Sequence, residues 1–524
     1  MMKYFFTGFL IFAFMFQIQG QESSTSKKPN IVFLFADDWG YYASCFANKD
    51  VPSVNDVVNT PIIDQLALEG VRFDNAFVEV PSCTPSRASI ATGAHFWRCG
   101  KNANLRGGAW EGVHDPGDDL PGFGNILNKN GYHTGRTYKT LWDKWFAGEV
   151  YMANGSKFNH YSQTVDTAQT IEAGHQELKK EVLANFHDFL DDRKKGQPFC
   201  YVWGPHNTHR PWVQGSGKKI WEINPDDLKG KMPKYMPDVP VVREDFADYL
   251  GEVQAFDLGV GYIIDELKRL GEYENTIIVL SGDNGIPGFP RGKSNIYDLG
   301  VKAPLIVRWG EIQTSNRIIS DFVSLIDLAP TFLEAAGLDI PKTVDGKSLM
   351  PLLLSNKSGQ IDKNRNSVVV GRERHLDNAR DGNLPYPSRA IYTKDYLYIR
   401  NFKPDRMPLG KEFDDEEKPF NYLRGNTNSS FSDMDNSPTK AFIIDNRDNP
   451  EYAQYFTYAF EKRPLEELYD LRNDPDQLVN LADSKKNAKV KKQLLSQLMK
   501  VLKDSNDPRL TNEFDYPPYI EQLD

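Results

Sequence analysis

Cysteine is scarce in this chain. Cys45, Cys83, Cys99 and Cys200 are the only four in 524 residues. That count does not make a disulfide framework, so stability has to come from a packed core. One bridge is compatible with it, and the pairing is not legible. Positive charge is not in excess either. Lys and Arg number 62 against 72 Asp and Glu, giving a net charge of −10 and a pI near 5.5. This balance argues against a nucleic-acid partner and against a generally cationic surface for polyanions. An anionic substrate would have to be held by a few local Arg, Lys and His. Long apolar runs are missing after the first 20 residues, so the mature chain is expected to have no membrane span. No internal repeat is visible.

The N-terminus carries an address. Lys3 is followed by an apolar stretch over residues 4–18, then by Gln19-Gly20-Gln21. Basic start, short apolar centre and small-residue exit make the pattern of a secretory signal peptide over residues 1–20. No cysteine follows the stretch, which argues against a lipoprotein anchor. A polar leader over residues 21–28 is expected next, with the mature protein periplasmic or secreted. The remaining length accommodates one large and one smaller domain.

Pro29-Asn30-Ile31-Val32-Phe33-Leu34-Phe35 is a continuous apolar run of strand length, suited to a parallel sheet buried on both faces. It ends in Asp37-Asp38. Thr60-Pro61 opens a helix, with Thr60 as N-cap. A short strand is expected within residues 71–80 and a helix over 86–92. Residues 165–195 read as one long helix, 198–203 as a buried strand and 248–270 as a helix stopped by Gly271. Thr276-Ile277-Ile278-Val279-Leu280 is a further strand, followed by Asp283-Asn284-Gly285. Strands alternating with helices predict a mostly parallel α/β sandwich over residues 29–365. Beyond about residue 365 the pattern changes. Residues 389–400 read as antiparallel strands, 403–440 as a long polar loop and 485–504 as an amphipathic helix. A smaller α+β domain is expected over 366–524.

Two positions suggest chemistry. Asp37, Asp38, Asp283 and Asn284 follow two buried strands, at the ends where α/β folds place their sites. Oxygen-only donors suit a hard divalent cation, Ca²⁺ or Mg²⁺, better than zinc. Cys83-Thr84-Pro85-Ser86-Arg87 precedes the helix expected at 86–92. That places Cys83 near a helix N-terminus, where backbone N–H groups favour an anion.

The order of these segments resembles the type I sulfatases. The resemblance includes Asp37-Asp38, the C-x-P-S-R segment at Cys83, Pro205-His206-Asn207-Thr208-His209, Asp283-Asn284-Gly285 and Lys293-Ser294-Asn295. It continues through Asp327-Leu328-Ala329-Pro330-Thr331 and Asp345-Gly346-Lys347-Ser348 to Glu467-Leu468-Tyr469-Asp470-Leu471. It implies an alkaline-phosphatase-like α/β fold with a small C-terminal sheet domain. It also implies that a maturation enzyme of the host oxidises Cys83 to Cα-formylglycine (3-oxoalanine). The hydrated aldehyde then attacks sulfur through one hydroxyl, and its second hydroxyl expels sulfate, splitting one hard step into two. By position, Asp37, Asp38, Asp283 and Asn284 would bind calcium together with modified Cys83. Arg87 would hold the formylglycine. Lys139 falls where the family has a catalytic lysine, Lys293 would bind the sulfate, and His206 would contact the sulfate or protonate the leaving oxygen. His209 is a candidate for substrate binding.

Arg372-Glu373-Arg374-His375 and Tyr386-Pro387-Ser388-Arg389 are similar to the branch containing N-sulfoglucosamine sulfohydrolase-like proteins. They imply a sulfated carbohydrate substrate, with Arg374 and His375 reaching the site mouth. Two departures stand out. The family's Gly-Lys-x-His is replaced by Tyr138-Lys139-Thr140-Leu141, which removes a histidine that helps activate the nucleophile. His95 and His133 are its nearest replacements in sequence. Lys302-Ala303-Pro304 replaces Arg-x-Pro. Two other functions compete with an exported sulfatase. One is a phosphoester or phosphonate hydrolase of the same superfamily, which needs two metal ions and more histidine ligands. The other is a non-catalytic glycan-binding protein.

Overall fold

The computed structural model describes residues 27–139, 144–412, 418–426 and 429–521. The expected signal peptide, most of the leader, and Thr140 with Leu141 lie outside the described residues. Eight strands form the main sheet. They are β1 (Asn30–Ala36), β2 (Val71–Phe73), β4 (His133–Tyr138), β5 (Glu149–Val150), β6 (Phe199–Gly204), β7 (Thr276–Gly282), β8 (Leu305–Arg308) and β9 (Arg317–Ile319). Their order is β5-β4-β6-β1-β7-β8-β2-β9. All neighbours are parallel except β8, which runs antiparallel to β7 and β2. The result is a mostly parallel α/β sandwich.

The apolar run of β1 explains its central place. Ile31, Phe33 and Phe35 belong to the core on one face, and Val32, Leu34 and Ala36 to the core on the other. Alternate side chains point to opposite faces, so only a strand covered on both sides buries all six. The helix Pro240–Arg269 covers one of these faces. Two short strands, β3 (Ala76–Phe77) and β10 (Val323–Ser324), pair separately.

A second sheet is antiparallel. It is built from β11 (Ser367–Arg372), β12 (Ser388–Thr393), β13 (Tyr396–Asn401) and β14 (Glu466–Asp470). One face places Val368, Val370, Ala390, Tyr392, Leu397 and Ile399 in the main core. The other packs Val369, Ile391, Tyr398 and Leu468 against Leu494, Leu498 and Leu502 of the helix Ala488–Asp504.

Several local expectations are corrected. The strand expected within 71–80 is two short pieces, β2 and β3. The helix expected over 165–195 is two helices, Tyr161–Thr167 and Ile171–Asp191, the second capped by Thr170 accepting from Ala173 N–H. The polar loop expected over 403–440 contains the helix Phe420–Gly425 and the start of Pro438–Asp445. Thr60 takes the N-cap position of Pro61–Glu69, but its hydroxyl is engaged by Ser44 N–H and Asp64. The cap comes instead from Asp257, which accepts from Ile63 N–H at 2.7 Å. All four cysteines are free thiols, so no bridge forms.

The C-terminal segment is fastened by buried ion pairs. Arg389 contacts Asp507 at 2.7 Å and Glu373 at 2.8 Å, and Arg509 pairs with Glu373 and with Asp515 at 2.9 Å. These arginines, Glu373 and Asp507 have side chains with no exposed surface. Removing one partner of such a cluster strands the others in low dielectric. Arg389→Met is therefore expected to lose about 3–5 kcal/mol of unfolding free energy. Urea denaturation checks this, and a loss below about 1 kcal/mol, the exposed-pair range, contradicts it.

Candidate active site

Four neighbouring parallel strands, β4, β6, β1 and β7, end at the same edge of the sheet. Each delivers residues there: Lys139 after β4, His206 after β6, Asp37 and Asp38 after β1, and Asp283 and Asn284 after β7. Backbone bonds tie these ends together. Asp37 N–H donates to Pro205 O at 3.0 Å, and Asp283 N–H donates to Ala36 O at 3.4 Å. Gly285 is required by contact, because a Cβ there would stand 1.7 Å from Leu299 O. Asp38 has φ of +62°, a left-handed conformation that Asp tolerates better than most residues. Tyr249, from the helix Pro240–Arg269, holds that turn: its hydroxyl donates to Asp38 O and accepts from Gly40 N–H.

Cys83 opens the helix Cys83–Thr92, after Ser82 in extended conformation. Its Sγ lies 3.6 Å from Asp38 Oδ1. Arg87, one turn on, spans the cluster. Nε donates to Asp283 Oδ2 at 2.7 Å, one terminal nitrogen to Asp37 Oδ1 at 3.2 Å, and the other to Lys139 O at 3.0 Å. Lys139 Nζ meets Asp37 Oδ2 at 2.7 Å, and Lys293 Nζ meets Asp38 Oδ2 at 2.8 Å. His206 Nδ1 also contacts Asp37 Oδ2, and its ring stacks on His209 with centroids 4.2 Å apart. Thus Cys83, Arg87, Lys139, His206, His209, Lys293 and the four oxygen donors converge. The carboxylates are fully buried, whereas Lys139 and His206 reach solvent at 34% and 28% side-chain exposure.

Burial alone would raise all three carboxylates. Asp37 is nevertheless held well below the usual range by Lys139, His206 and Arg87. Burial pushes Asp38 up despite Lys293, and Asp283 up to about 7 despite Arg87. At both, burial outweighs the cationic partners, a cost that a further bound cation would relieve. Asn284 adds a second sign. Its Nδ2 donates to Asp38 Oδ1 at 2.6 Å, while its buried Oδ1 has no hydrogen-bond partner. Donor atoms of Asp37, Asp38, Cys83 and Asp283 lie within 4.8 Å of one another. An orphaned amide oxygen beside under-compensated carboxylates fits a hard divalent cation.

His375 also comes near. Its Nδ1 is 2.8 Å from Ser82 Oγ, beside Cys83, and burial lowers its pKa to about 4, so it is neutral. His209 is likewise neutral, lowered to about 3 first by burial and then by Lys293. Arg374 faces elsewhere: its guanidinium donates to Arg106 O and Gly107 O. Neither expected replacement histidine is brought to the cluster. His133 starts β4, at the opposite end of the sheet, and hydrogen-bonds Phe189 O. His95 pairs with Glu79 and stacks on Trp97. Lys302 lies over the Tyr41 ring, 4.4 Å from its centroid. One participant was missed by sequence reasoning: Asp435, 3.8 Å from Lys293 Nζ. It lies in the Asp- and Ser-rich stretch read as a loop. The Ser437-Pro438 helix start beside it was the available signal that this stretch is structured.

The fold and these groups define a hydrolase of the alkaline-phosphatase-like class. The family profile described as Sulfatase matches residues 29–338, more than half of the chain, and a second, described as N-sulphoglucosamine sulphohydrolase, C-terminal, matches residues 291–404. The chain belongs to the sulfatase family, whose members are sulfuric ester hydrolases. It is 26% identical to human N-sulphoglucosamine sulphohydrolase, with 92% of this chain and 91% of that protein covered. It is also 26% identical to an ulvan-active sulfatase of Formosa agariphila, covering 94% and 79%. Among solved structures, a chain in complex with its substrate D-glucosamine-2-N,6-O-disulfate superimposes with a TM-score of 0.60 at 18% identity, covering 94% of this chain and all of that one.

The thiol form of the site gives a direct expectation. Burial, with Asp37 close by, pushes the Cys83 thiol well above its ordinary pKa, and the residue is 3% exposed. The thiolate is the reactive species. Where residue 83 is still cysteine, iodoacetamide at pH 8 is expected to leave it unlabelled in the folded protein and to label it in urea. Peptide mapping reads this, and rapid native labelling contradicts it.

Proposed function

We propose that this chain is an exported sulfatase that removes sulfate, as an ester or an N-sulfate, from a sulfated glycan, using residue 83 as a formylglycine and one calcium ion. The single observation that carries the reading is the convergence of Cys83, Arg87 and the Asp37, Asp38, Asp283 and Asn284 donors at one sheet edge. The names of the relatives support the substrate class: an N-sulphoglucosamine sulphohydrolase, an ulvan-active sulfatase and an N-acetylglucosamine-6-O-sulfatase. The signal-peptide pattern of residues 1–20 supports export, and no described helix is long and apolar enough to cross a membrane. A boundary near residue 365, just before the antiparallel sheet begins, agrees with a catalytic and a smaller C-terminal domain.

The chain's own groups divide the work. Asp37, Asp38, Asp283 and Asn284 would hold the cation, which when bound polarises the sulfate and offsets charge in the transition state. Formylglycine at residue 83 would supply the gem-diol nucleophile. Arg87 keeps Asp37 and Asp283 in place and sets positive charge beside residue 83. Lys139 and Lys293 present ammonium groups to the sulfate oxygens. His206 is oriented by Asp37 at Nδ1, so Nε2 is the nitrogen that delivers a proton to the leaving oxygen or nitrogen. Neutral His209 and His375 serve as hydrogen-bonding groups for the substrate. Arg374 holds the 106–107 backbone rather than reaching the cluster.

The phosphoester-hydrolase alternative finds one favourable feature. Asp37, His206 and His209 also group their donors closely enough for a metal. Lys139 Nζ stands 2.7 Å from the same Asp37 carboxylate, however, and an ammonium there repels a second cation.

Sulfate release from a panel of N- and O-sulfated glycans tests the function. The matured chain is expected to release sulfate from at least one glycan, and Cys83→Ala to release none. Lys139→Ala is expected to lose about 10²–10³ in kcat, as when one charge-stabilising donor is removed. Phosphate release without sulfate release contradicts the reading. Metal analysis of the dialysed protein should find one calcium per chain. Added Ca²⁺ at 100 times its Kd should raise unfolding free energy by about 2.7 kcal/mol. Asp283→Ala should abolish both effects, and two ions per chain would favour the alternative.

A further inference from the structure

A cavity of about 390 Å³ opens beside the cluster, lined by His209, Arg210, Trp212, Asp245, Arg424 and Asp435 among others. Its volume is at the low end of the range for small-molecule sites. It joins the catalytic groups at two points. His209 Nε2 lies 3.7 Å from Asp38 Oδ2, and Asp435 Oδ2 lies 3.8 Å from Lys293 Nζ.

The segment carrying Asp435 is anchored from several sides. Asp433 is paired with Arg372 at 3.1 Å and with Arg380, and accepts from Leu376 N–H at 2.8 Å. Buried Lys440 donates to Phe431 O at 3.2 Å and Met434 O at 2.8 Å. Ser437 donates to Gly288 O at 2.6 Å and caps the next helix. Within this frame Asp435 has Lys293 Nζ at 3.8 Å but a carboxylate oxygen, the buried Oδ2, without a hydrogen bond among the described residues. Of the other charges on the cavity wall, Arg210 pairs with Asp245 at 2.8 Å and stacks on Trp212, and Asp248 accepts from Gly215 and Gly217 N–H. Burial opposes the charge on Asp435, but Lys293 above all, with Arg210, holds its carboxyl below the usual carboxylate range.

We propose that Asp435 is a specificity-determining residue: it accepts hydrogen bonds from the hydroxyl or amino groups next to the scissile sulfate, and rejects sugars with a second sulfate at that neighbouring position. This rests on the glycan-sulfatase reading and names the substrate class within it. A buried acceptor satisfied by a sugar hydroxyl binds it through a charge-assisted bond. A second sulfate there would place like charges together and leave the carboxylate unpaired.

The test compares two sugars, D-glucosamine N-sulfate and its 3-O-sulfated analogue, as substrates of the matured full-length protein. The wild type is expected to favour the first by about tenfold or more in kcat/KM, the size of one charged hydrogen bond. Asp435→Asn should erase most of that preference, chiefly through KM on the first sugar. Asp435→Glu, which keeps the charge, should retain the preference with a raised KM and serves if the Asn variant does not fold. Release of sulfate with no preference, or with the same preference in Asp435→Asn, overturns this assignment alone. No release from any sulfated glycan by a chain carrying formylglycine overturns the sulfatase reading and this assignment with it.

Discussion

Three buried carboxylates share one small volume at the edge of the sheet, and the rest of the site follows from making that tolerable. Arg87 satisfies two of them at once, Lys139 takes the remaining oxygen of Asp37, and Lys293 answers Asp38. A carboxylate without such partners would give up its charge rather than stay ionised inside the protein. Even with them, Asp38 and Asp283 remain pushed upward. A divalent cation fits that setting, and on the proposed reading it would draw an anionic group to the pocket. The Coulombic effects are large because the sheet ends and the helix Pro240–Arg269 exclude water from the cluster.

Topology makes this arrangement available. Only parallel strands that are neighbours in the sheet place all their carboxyl ends on one edge. Here β4, β6, β1 and β7 are separated in sequence by tens of residues, yet they bring Lys139, His206, Asp37 and Asp283 within contact distance. The helix Cys83–Thr92 then aims residue 83 and Arg87 at the same point. The antiparallel sheet contributes from the side. Its first strand leads into His375, which touches Ser82, and the segment anchored through Asp433 presents Asp435.

Much of this was legible in the sequence, for physical reasons that differ by element. The runs of β1 and β7 read as strands because a strand buried on both faces has to be apolar at every position. Asp37, Asp38, Asp283 and Asn284 read as a site because polar groups ending such strands have few other uses. Pro240 at the first helical position was overlooked as the start of a helix, since the charged residues that follow hid its period. The break at residues 168–170 and the trans cap from Asp257 depend on contacts distant in sequence, which no local pattern encodes. Asp435 was invisible for the same reason. Its significance lies in Lys293 and His209, more than 140 residues away, while its own neighbourhood resembles a polar loop. His95 and His133 were near in sequence only: the direction of β4 puts His133 at the opposite end of the sheet, and His95, beyond the helix Cys83–Thr92, is held by Glu79.

The account turns on the chemical state of residue 83, and mass spectrometry of the tryptic peptide across it, from protein purified from the native host, tests that most directly. Replacement of the thiol by an aldehyde lowers the peptide mass by about 18 Da. The account predicts that this lighter, aldehyde-reactive form predominates. An unmodified cysteine in protein that still releases sulfate would contradict it.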